Sequence, residues 1–120
     1  MAKRPTPPAD VPRERLDAYD RLIESQPGLE RKGASLPYTS INGHMSSFVD
    51  AAGIALRLPA TERDAFMARF GTSLHQAHGT TMKEYVTIPD GALVDLPPLI
   101  EWFARSVAFV SALRPKATRR

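Results

Sequence analysis

A chain of 120 residues with 42% apolar residues has the size of one domain and enough apolar side chains for one core. The absence of cysteine excludes disulfides, thiolate zinc sites and a cysteine nucleophile, so packing alone must hold the fold and the cytoplasm is the expected compartment. No apolar run approaches the roughly 20 residues that span a bilayer, and the N-terminus lacks the apolar stretch of a signal peptide. We therefore expect a soluble protein that does not act on a membrane.

The net charge of +3 is unevenly distributed along the chain. Residues 1–15 and 114–120 together hold eight Lys and Arg against two acidic residues, a balance of +6, whereas residues 16–113 carry −3. Basic ends on a mildly acidic body are typical of solubilising tails. The alternative is a nucleic-acid-associated factor that binds through its tails. The candidates in the C-terminal tail are Arg114, Lys116, Arg119 and Arg120.

The first predicted element is a helix that follows a proline-rich leader. Residues 1–12 contain four prolines and little to bury, which indicates a disordered segment. Pro12 suits the first turn of a helix, and we predict that helix over 13–26. Its apolar residues recur at helical spacing, at Leu16, Tyr19 and Ile23. The short charged segment 29–33 then suits an edge strand.

A three-stranded antiparallel unit is predicted over 36–58. Asn42-Gly43 is a strong hairpin signal, because both central positions of a type I′ turn need positive φ and these residues tolerate it at least cost. Residues 50–53 form the second connection. The resulting register pairs Ile41 with His44, Ser40 with Met45, Tyr38 with Ser47, Val49 with Ile54 and Ser47 with Leu56.

That register divides the side chains between two faces of the sheet. The face predicted to cover the core holds Tyr38, Ser40, Met45, Ser47, Val49, Ile54, Leu56 and Leu58. The other face holds Thr39, Ile41, His44, Ser46, Phe48, Ala55 and Arg57. Because Phe48 and Ile41 are apolar on this more polar face, either another element covers it or it is an interaction surface with an apolar centre.

A second helix and a further strand follow the three-stranded unit. Thr61 is a candidate N-cap for a helix over 61–70, and Gly71 supplies its left-handed end. Residues 72–81 have no clear period and are predicted as a loop. Residues 82–88 are rich in β-branched and aromatic side chains, which predicts a strand.

The last predicted element is a helix over 98–113, which Pro97-Pro98 introduces. Its broad apolar face should be the main cover of the sheet and consists of Leu99, Trp102, Phe103, Ser106, Val107, Val110 and Leu113. The predicted organisation is thus a leader (1–12), one domain (13–113) and a basic tail (114–120).

The order of these segments, with the runs GHMSSFVDAAGIALRLPATERDAF and MKEYVTIPD, resembles the N-terminal domain of the TfoX/Sxy family. The resemblance covers residues 16–113 and implies an α+β domain of the kind associated with competence and transcription regulators. It brings no family-wide catalytic residues. The glycine pair common in that family before the sheet is represented only by Gly33, and we expect a stand-alone domain without the C-terminal domain of the full-length regulators.

Two groups of polar residues are candidate sites of chemistry. His75 and His78 have a spacing seen in metal sites, but two ligands do not make a site and no Cys or nearby acidic pair completes it, so a surface loop is expected. His44 could act as a base with Arg57 as an anion clamp, yet no spacing fixes a residue to orient the imidazole. We therefore predict no catalytic residue, no metal and no cofactor.

The aromatic and methionine side chains suggest a shared surface instead. Tyr38, Phe48, Met82 and Tyr85 could border a patch for a partner, because these residue types are enriched at interfaces. The full candidate interaction surface consists of Tyr38, Ile41, His44, Phe48, Arg57 and Tyr85.

These patterns predict a two-layer α+β fold, with an antiparallel meander sheet packed against two or three helices. The predicted function is a non-enzymatic regulatory or protein-interaction module of the TfoX N-terminal type. Its partner is expected to be a protein, and a second copy of the chain would fit that description. The alternatives are the nucleic-acid-associated factor and a small-molecule binder or enzyme that uses the His44/Arg57 face.

Overall fold

The computed structural model describes residues 11–33, 36–77 and 79–114, which form three α-helices and five β-strands. In chain order these are α1 (Arg13–Glu24), β1 (Tyr38–Ile41), β2 (His44–Asp50), β3 (Gly53–Arg57), α2 (Ala60–Phe70), β4 (Leu74–Ala77), β5 (Thr80–Ile88) and α3 (Leu96–Ala112). A short 3-10 helix, Asp90–Val94, precedes α3. Of the predicted leader only Val11 and Pro12 fall within the described residues, and of the predicted tail only Arg114 does.

The strands form one antiparallel sheet with the order β1-β2-β3-β5-β4. The predicted α+β class is therefore confirmed. The meander prediction holds for β1, β2 and β3 only, because the chain leaves the sheet through α2 and returns so that β5 pairs with β3. β4 then lies outside β5, at an edge of the sheet.

The first hairpin has the turn that the sequence predicts. Asn42 and Gly43 have φ values of 55° and 82°, as a type I′ turn requires. The predicted pairs Ile41 with His44 and Ser40 with Met45 are both present. The second hairpin also has the predicted pairs, with Val49 opposite Ile54 and Ser47 opposite Leu56, and its turn is shortened to two residues because Asp50 pairs with Gly53.

The pairing between β1 and β2 then shifts, and Ser46 is the additional residue of a β-bulge. Thr39 pairs with Ser47 and Tyr38 with Phe48, so the predicted pairing of Tyr38 with Ser47 is wrong. The hydroxyl of Thr39 lies 2.6 Å from the hydroxyls of both Ser46 and Ser47, all three residues being buried. A bulge reverses the alternation of side chains along its strand. Hence Tyr38 and Met45 lie on the Phe48 face, although the sequence predicted them on the core face.

The main core lies between the other face of the sheet and the helices. Buried side chains from the three helices, the strands and the segments beside them fill it: Val11, Leu16, Tyr19, Leu22, Ile23, Val49, Ile54, Leu56, Leu58, Phe66, Val86, Ile88, Leu99, Trp102 and Phe103. The rings of Tyr19 and Phe103 meet edge to face, which joins α1 to α3. α3 packs on β1, β2 and β3, and α2 packs on β5, so the last helix covers the first three strands of the sheet and α2 covers the far side.

Three local predictions differ from the structure. α2 begins after Pro59, not after the predicted cap Thr61, although Gly71 ends it in the left-handed conformation with φ of 62°. The charged segment 29–33 contributes a single bridge between Lys32 and Tyr38 in place of an edge strand. The predicted loop 72–81 contains β4. None of the helices in the described ranges is long and apolar enough to cross a membrane.

Candidate functional site

The face of the sheet that the helices leave uncovered is partly closed by the sheet itself. Leu74 of β4 pairs with Val86, and the next residue, His75, pairs with Met82, so β5 has three additional residues at this point. The β4–β5 hairpin consequently bends over the open face. The His75 ring meets the Phe48 ring of β2 edge to face at 5.1 Å between centroids, although β3 and β5 separate β2 from β4 in the sheet.

A second, smaller core forms beneath the bent hairpin. Phe48, Ala55 and Tyr85 are buried, and the side chains of Tyr38, Met45 and Met82 pack around them. The Tyr85 hydroxyl donates a hydrogen bond of 2.6 Å to the carbonyl of Met45, and burial raises the pKa of this tyrosine. The Phe48 side of the sheet therefore has the apolar centre that the sequence suggested. The bent β4–β5 hairpin covers this centre.

His75 is enclosed completely and links three strands through hydrogen bonds. Its Nδ1 lies 2.8 Å from the Thr87 hydroxyl of β5, and its Nε2 lies 3.0 Å from Oδ1 of Asp50 at the end of β2. The neutral Nε2–H tautomer satisfies both contacts, since Nε2 donates to the carboxylate and Nδ1 accepts from the hydroxyl. This order of carboxylate, imidazole and hydroxyl resembles a catalytic triad. His75 is 0% exposed, however, so a substrate cannot reach it.

The metal hypothesis for His75 and His78 receives no support from the described part of the chain. His75 is a buried strand residue and not part of a surface loop, and His78 lies outside the described residues. Across residues 11–33, 36–77 and 79–114, no group of three or more His, Cys, Asp or Glu side chains could hold a metal ion.

Beside the small core lies an open groove of about 490 Å³, a volume within the usual range for ligand sites. We call it the Phe48 groove. Its lining residues are Leu36, Met45, Phe48, Asp50, Ala51, Ala52, Gln76, Ala77 and Met82. Leu36 at its margin is 43% exposed, which is unusual for a large apolar side chain in this protein. The groove is a concave, mostly apolar surface, and two of the described residues that line it, Asp50 and Gln76, have polar side chains.

The turn at one end of the groove is held from the helix side by Arg15. The guanidinium donates through Nε and Nη2 to both carboxylate oxygens of Asp90, each at 2.8 Å. Its Nη1 donates to the carbonyls of Asp50 and Ala51 at 2.7 and 3.0 Å. The hydrogen bond with Asp90 raises the pKa of Arg15, and the same bond lowers the pKa of Asp90 below its ordinary value. This clamp fixes the β2–β3 turn that forms the groove wall.

Replacing Asp90 with asparagine is expected to lower the melting temperature at pH 7 and to have less effect in acid. A carboxyl group whose pKa is lowered by folding stabilises the fold above its unfolded pKa, near 3.8, and this contribution is lost as the pH falls through the folded value. Melting curves of wild type and Asp90→Asn at pH 7 and pH 3 would measure it, with Asp95→Asn as the exposed control. A difference that is as large at pH 3 as at pH 7 would contradict the ion-pair explanation.

The structure brings together four of the six residues of the predicted interaction surface. Phe48 and Tyr85 are in the small core and Tyr38 packs against it. Arg57 lies over the Tyr85 ring at 5.9 Å and forms an ion pair of 2.7 Å with Glu84. These four residues share the Phe48 face, as the sequence predicted for Phe48 and Arg57.

Ile41 and His44 lie instead on the helix-covered face. The Nε2 of His44 is 2.8 Å from the carbonyl of Arg114, just after α3, and Ile41 lines a shallow depression beside Val107. The bulge at Ser46 is the physical reason, because it reverses the sidedness of β2 between His44 and Phe48. A catalytic or anion site that combines His44 with Arg57 is therefore excluded by the geometry.

Four residues of the groove were not recognised as site residues from the sequence: Leu36, Met45, Asp50 and Gln76. Met45 was misplaced by the bulge, for which the adjacent polar pair Ser46-Ser47 inside an apolar strand is the one available signal. Asp50 was interpreted only as a turn residue. The basic-tail candidates Lys116, Arg119 and Arg120 lie outside the described residues, and Arg114 is exposed at the end of α3.

Comparison with known proteins adds no identity. The chain matches no protein-family model, no curated protein and no solved structure. The resemblance to the TfoX N-terminal domain stays a prediction from the sequence.

Proposed function

We propose that this chain is a non-enzymatic regulatory module of the TfoX N-terminal type, which binds a protein partner through the Phe48 groove. The observation that carries the proposal is an open apolar groove on the face of the sheet, with an exposed leucine at its margin. Contiguous exposed apolar surface on a soluble domain marks interaction sites, whereas isolated apolar residues do not. The regulatory role rests on the sequence resemblance alone.

The composition of the groove favours a protein as the occupant. Met45 and Met82 stand on opposite strands beside Phe48, and methionine adapts its flexible side chain to differently shaped partners. Phenylalanine and methionine are both enriched at protein interfaces, while charged residues are depleted in their centres. The small residues Ala51, Ala52 and Ala77 leave space between these larger side chains.

The polar groups near the groove favour binding over catalysis. The imidazole of His75 is enclosed and both its nitrogens are engaged by Asp50 and Thr87. Arg57 is paired with Glu84, and the Nε2 of His44 is engaged on the other face of the sheet. Catalysis by a general acid or base needs a group within hydrogen-bonding reach of the substrate, and these groups are committed to the fold.

The test is a matched pair of surface substitutions. Leu36 and Val94 are the two exposed large apolar residues within the described ranges, at 43% and 90% exposure, and only Leu36 lines the groove. We expect Leu36→Glu to weaken binding of the partner at least about tenfold, equivalent to about 1.4 kcal/mol, because it places a charge in an apolar contact. Val94→Glu should leave the affinity unchanged.

Binding partners are first captured with wild type, Leu36→Glu and Val94→Glu, and each candidate is then purified and titrated against all three by calorimetry. Melting curves of the two variants confirm that each stays folded. The proposal fails if no purified protein binds in a Leu36-dependent manner, or if Val94→Glu has the same effect as Leu36→Glu.

A further inference from the structure

We infer that the partner segment in the Phe48 groove carries an apolar side chain next to a basic one, with the apolar group between Met45 and Met82 and the basic group at Asp50. This inference rests on the proposed function and specifies its partner. It depends on the charge balance at the β2–β3 end of the groove, on the state of the Asp50 carboxylate, and on the shape of the groove wall.

The charge at that end of the groove is negative. Asp50 is the one ionisable side chain among the described residues that line the groove. Behind it, the positive charge of Arg15 is matched by the carboxylate of Asp90, with which it forms a bidentate pair. The guanidinium and the carboxylates of Asp50 and Asp90 sum to one negative charge, and Asp50 is the one of these three groups that lines the groove.

The Asp50 carboxylate also keeps acceptor capacity for a partner. Its Oδ1 accepts from the Ala52 amide at 3.0 Å and from Nε2 of His75 at 3.0 Å, whereas Oδ2 has, among the described residues, only the longer His75 contact of 3.2 Å. A carboxylate offers about four acceptor positions. The Asp50 side chain is 23% exposed, so an incoming cation can reach it from the groove.

The wall beside Asp50 suits the aliphatic stem of lysine or arginine. Ala51 and Ala52 follow Asp50 directly and are both exposed, so a long basic side chain can lie across them with its head at the carboxylate. The floor at Phe48 is apolar and takes the neighbouring side chain. The groove surface thus offers an acidic group, then small side chains, then an apolar floor. This arrangement is complementary to a basic residue beside an apolar one.

Three terminally blocked peptides test the inference: acetyl-Gly-Leu-Arg-Gly-amide, acetyl-Gly-Leu-Glu-Gly-amide and acetyl-Gly-Gly-Arg-Gly-amide. Each is titrated into the full chain, and the methyl resonances of Met45 and Met82 are followed by NMR, with the Met67 methyl of α2 as an internal control. We expect the leucine-arginine peptide to shift both groove methyls and to bind about two- to fivefold more tightly than the leucine-glutamate peptide, the range for a partly exposed ion pair. The peptide without leucine should shift neither.

Two controls isolate the contribution of Asp50. In 1 M NaCl, where the screening length is about 3 Å, the preference for arginine over glutamate should shrink. In Asp50→Asn it should disappear, because asparagine still accepts a hydrogen bond from His75 but carries no charge. A melting curve of this variant shows whether the groove is intact.

Three outcomes would overturn the inference. Equal binding of the arginine and glutamate peptides would remove the basic residue from the partner while leaving the proposed function standing. Shifts that spare Met45 and Met82 would place the peptides elsewhere. A concentration-dependent dimer in sedimentation that Leu36→Glu abolishes would identify a second copy as the occupant. Failure of the proposed function is distinct, because it is the absence of any Leu36-dependent protein partner.

Discussion

Replacing Trp102 with alanine is expected to lower the free energy of unfolding by about 3 to 5 kcal/mol. The indole is 7% exposed and packs edge to face on the buried Phe66 ring at 5.3 Å between centroids, so it joins α3 to α2. The substitution removes a large apolar surface from the core and leaves a cavity that the helices cannot close fully. Because a small domain has a total stability of about 5 to 15 kcal/mol, the variant should be close to unfolding at physiological temperature.

Urea titration followed by far-UV circular dichroism measures this loss. Arg105→Ala is the matched control, because the guanidinium lies 4.6 Å from the centre of the same ring while the Arg105 side chain is 45% exposed. An exposed cation–π contact contributes about 0.5 to 1 kcal/mol, so this control should lose far less than Trp102→Ala. A loss below about 1 kcal/mol for Trp102→Ala would show that the indole does not fill the core as described.

Replacing His75 with alanine is expected to cost about 3 kcal/mol, with a range of about 2 to 5. The fully buried ring leaves a cavity against Phe48, and the Thr87 hydroxyl and the Asp50 carboxylate each lose a hydrogen-bond partner. Gln76→Ala, at the exposed neighbouring position, should stay within about 0.5 kcal/mol of wild type.

His75→Ala should also loosen the bent hairpin before the rest of the fold. The ring is the contact that joins β4 to β2 across the open face, whereas pairing with β5 does not depend on it. Amide exchange in β4 should therefore accelerate more than amide exchange in β2 and β3. Uniform acceleration across the sheet would instead show that His75 stabilises the whole fold and not the bent hairpin in particular.

The parts of the fold that follow from regular local patterns could be predicted from the sequence. Leu16, Tyr19 and Ile23 repeat at helical spacing, and all three are buried where α1 meets the core. Asn42-Gly43 identifies the first hairpin turn, because few residue pairs adopt positive φ at two successive positions at low energetic cost. In these cases a local rule and the tertiary structure select the same conformation.

The predictions fail where the structure departs from regular strand patterns. Because side-chain direction in a strand has a period of two, the additional residue Ser46 places Met45 and His44 each on the face opposite to the predicted one. β4 was missed because an edge strand of four residues is too short to show a period. Both features are stabilised by distant contacts, of Thr39 and of Phe48, which single-sequence patterns do not contain.

The site was predictable only in its apolar centre. Aromatic and methionine types identified Phe48, Tyr85 and Met82, which do lie together. The sequence indicates only a turn at Asp50. Its role in the site depends on the bent β4–β5 hairpin, which brings His75 of β4 against it. Position along the chain gives no indication of such a contact when the two residues belong to strands that are not neighbours in the sheet.

The contacts of Arg15 imply that the two sides of the domain communicate. This side chain starts on α1, on the helix-covered side, and holds the carbonyls of Asp50 and Ala51, which belong to the groove wall on the opposite side. Any event that displaces the first turn of α1 therefore alters the groove. By thermodynamic reciprocity, an occupant that depends on this wall would oppose displacement of the first turn of α1 by the same free energy by which that displacement weakens its binding.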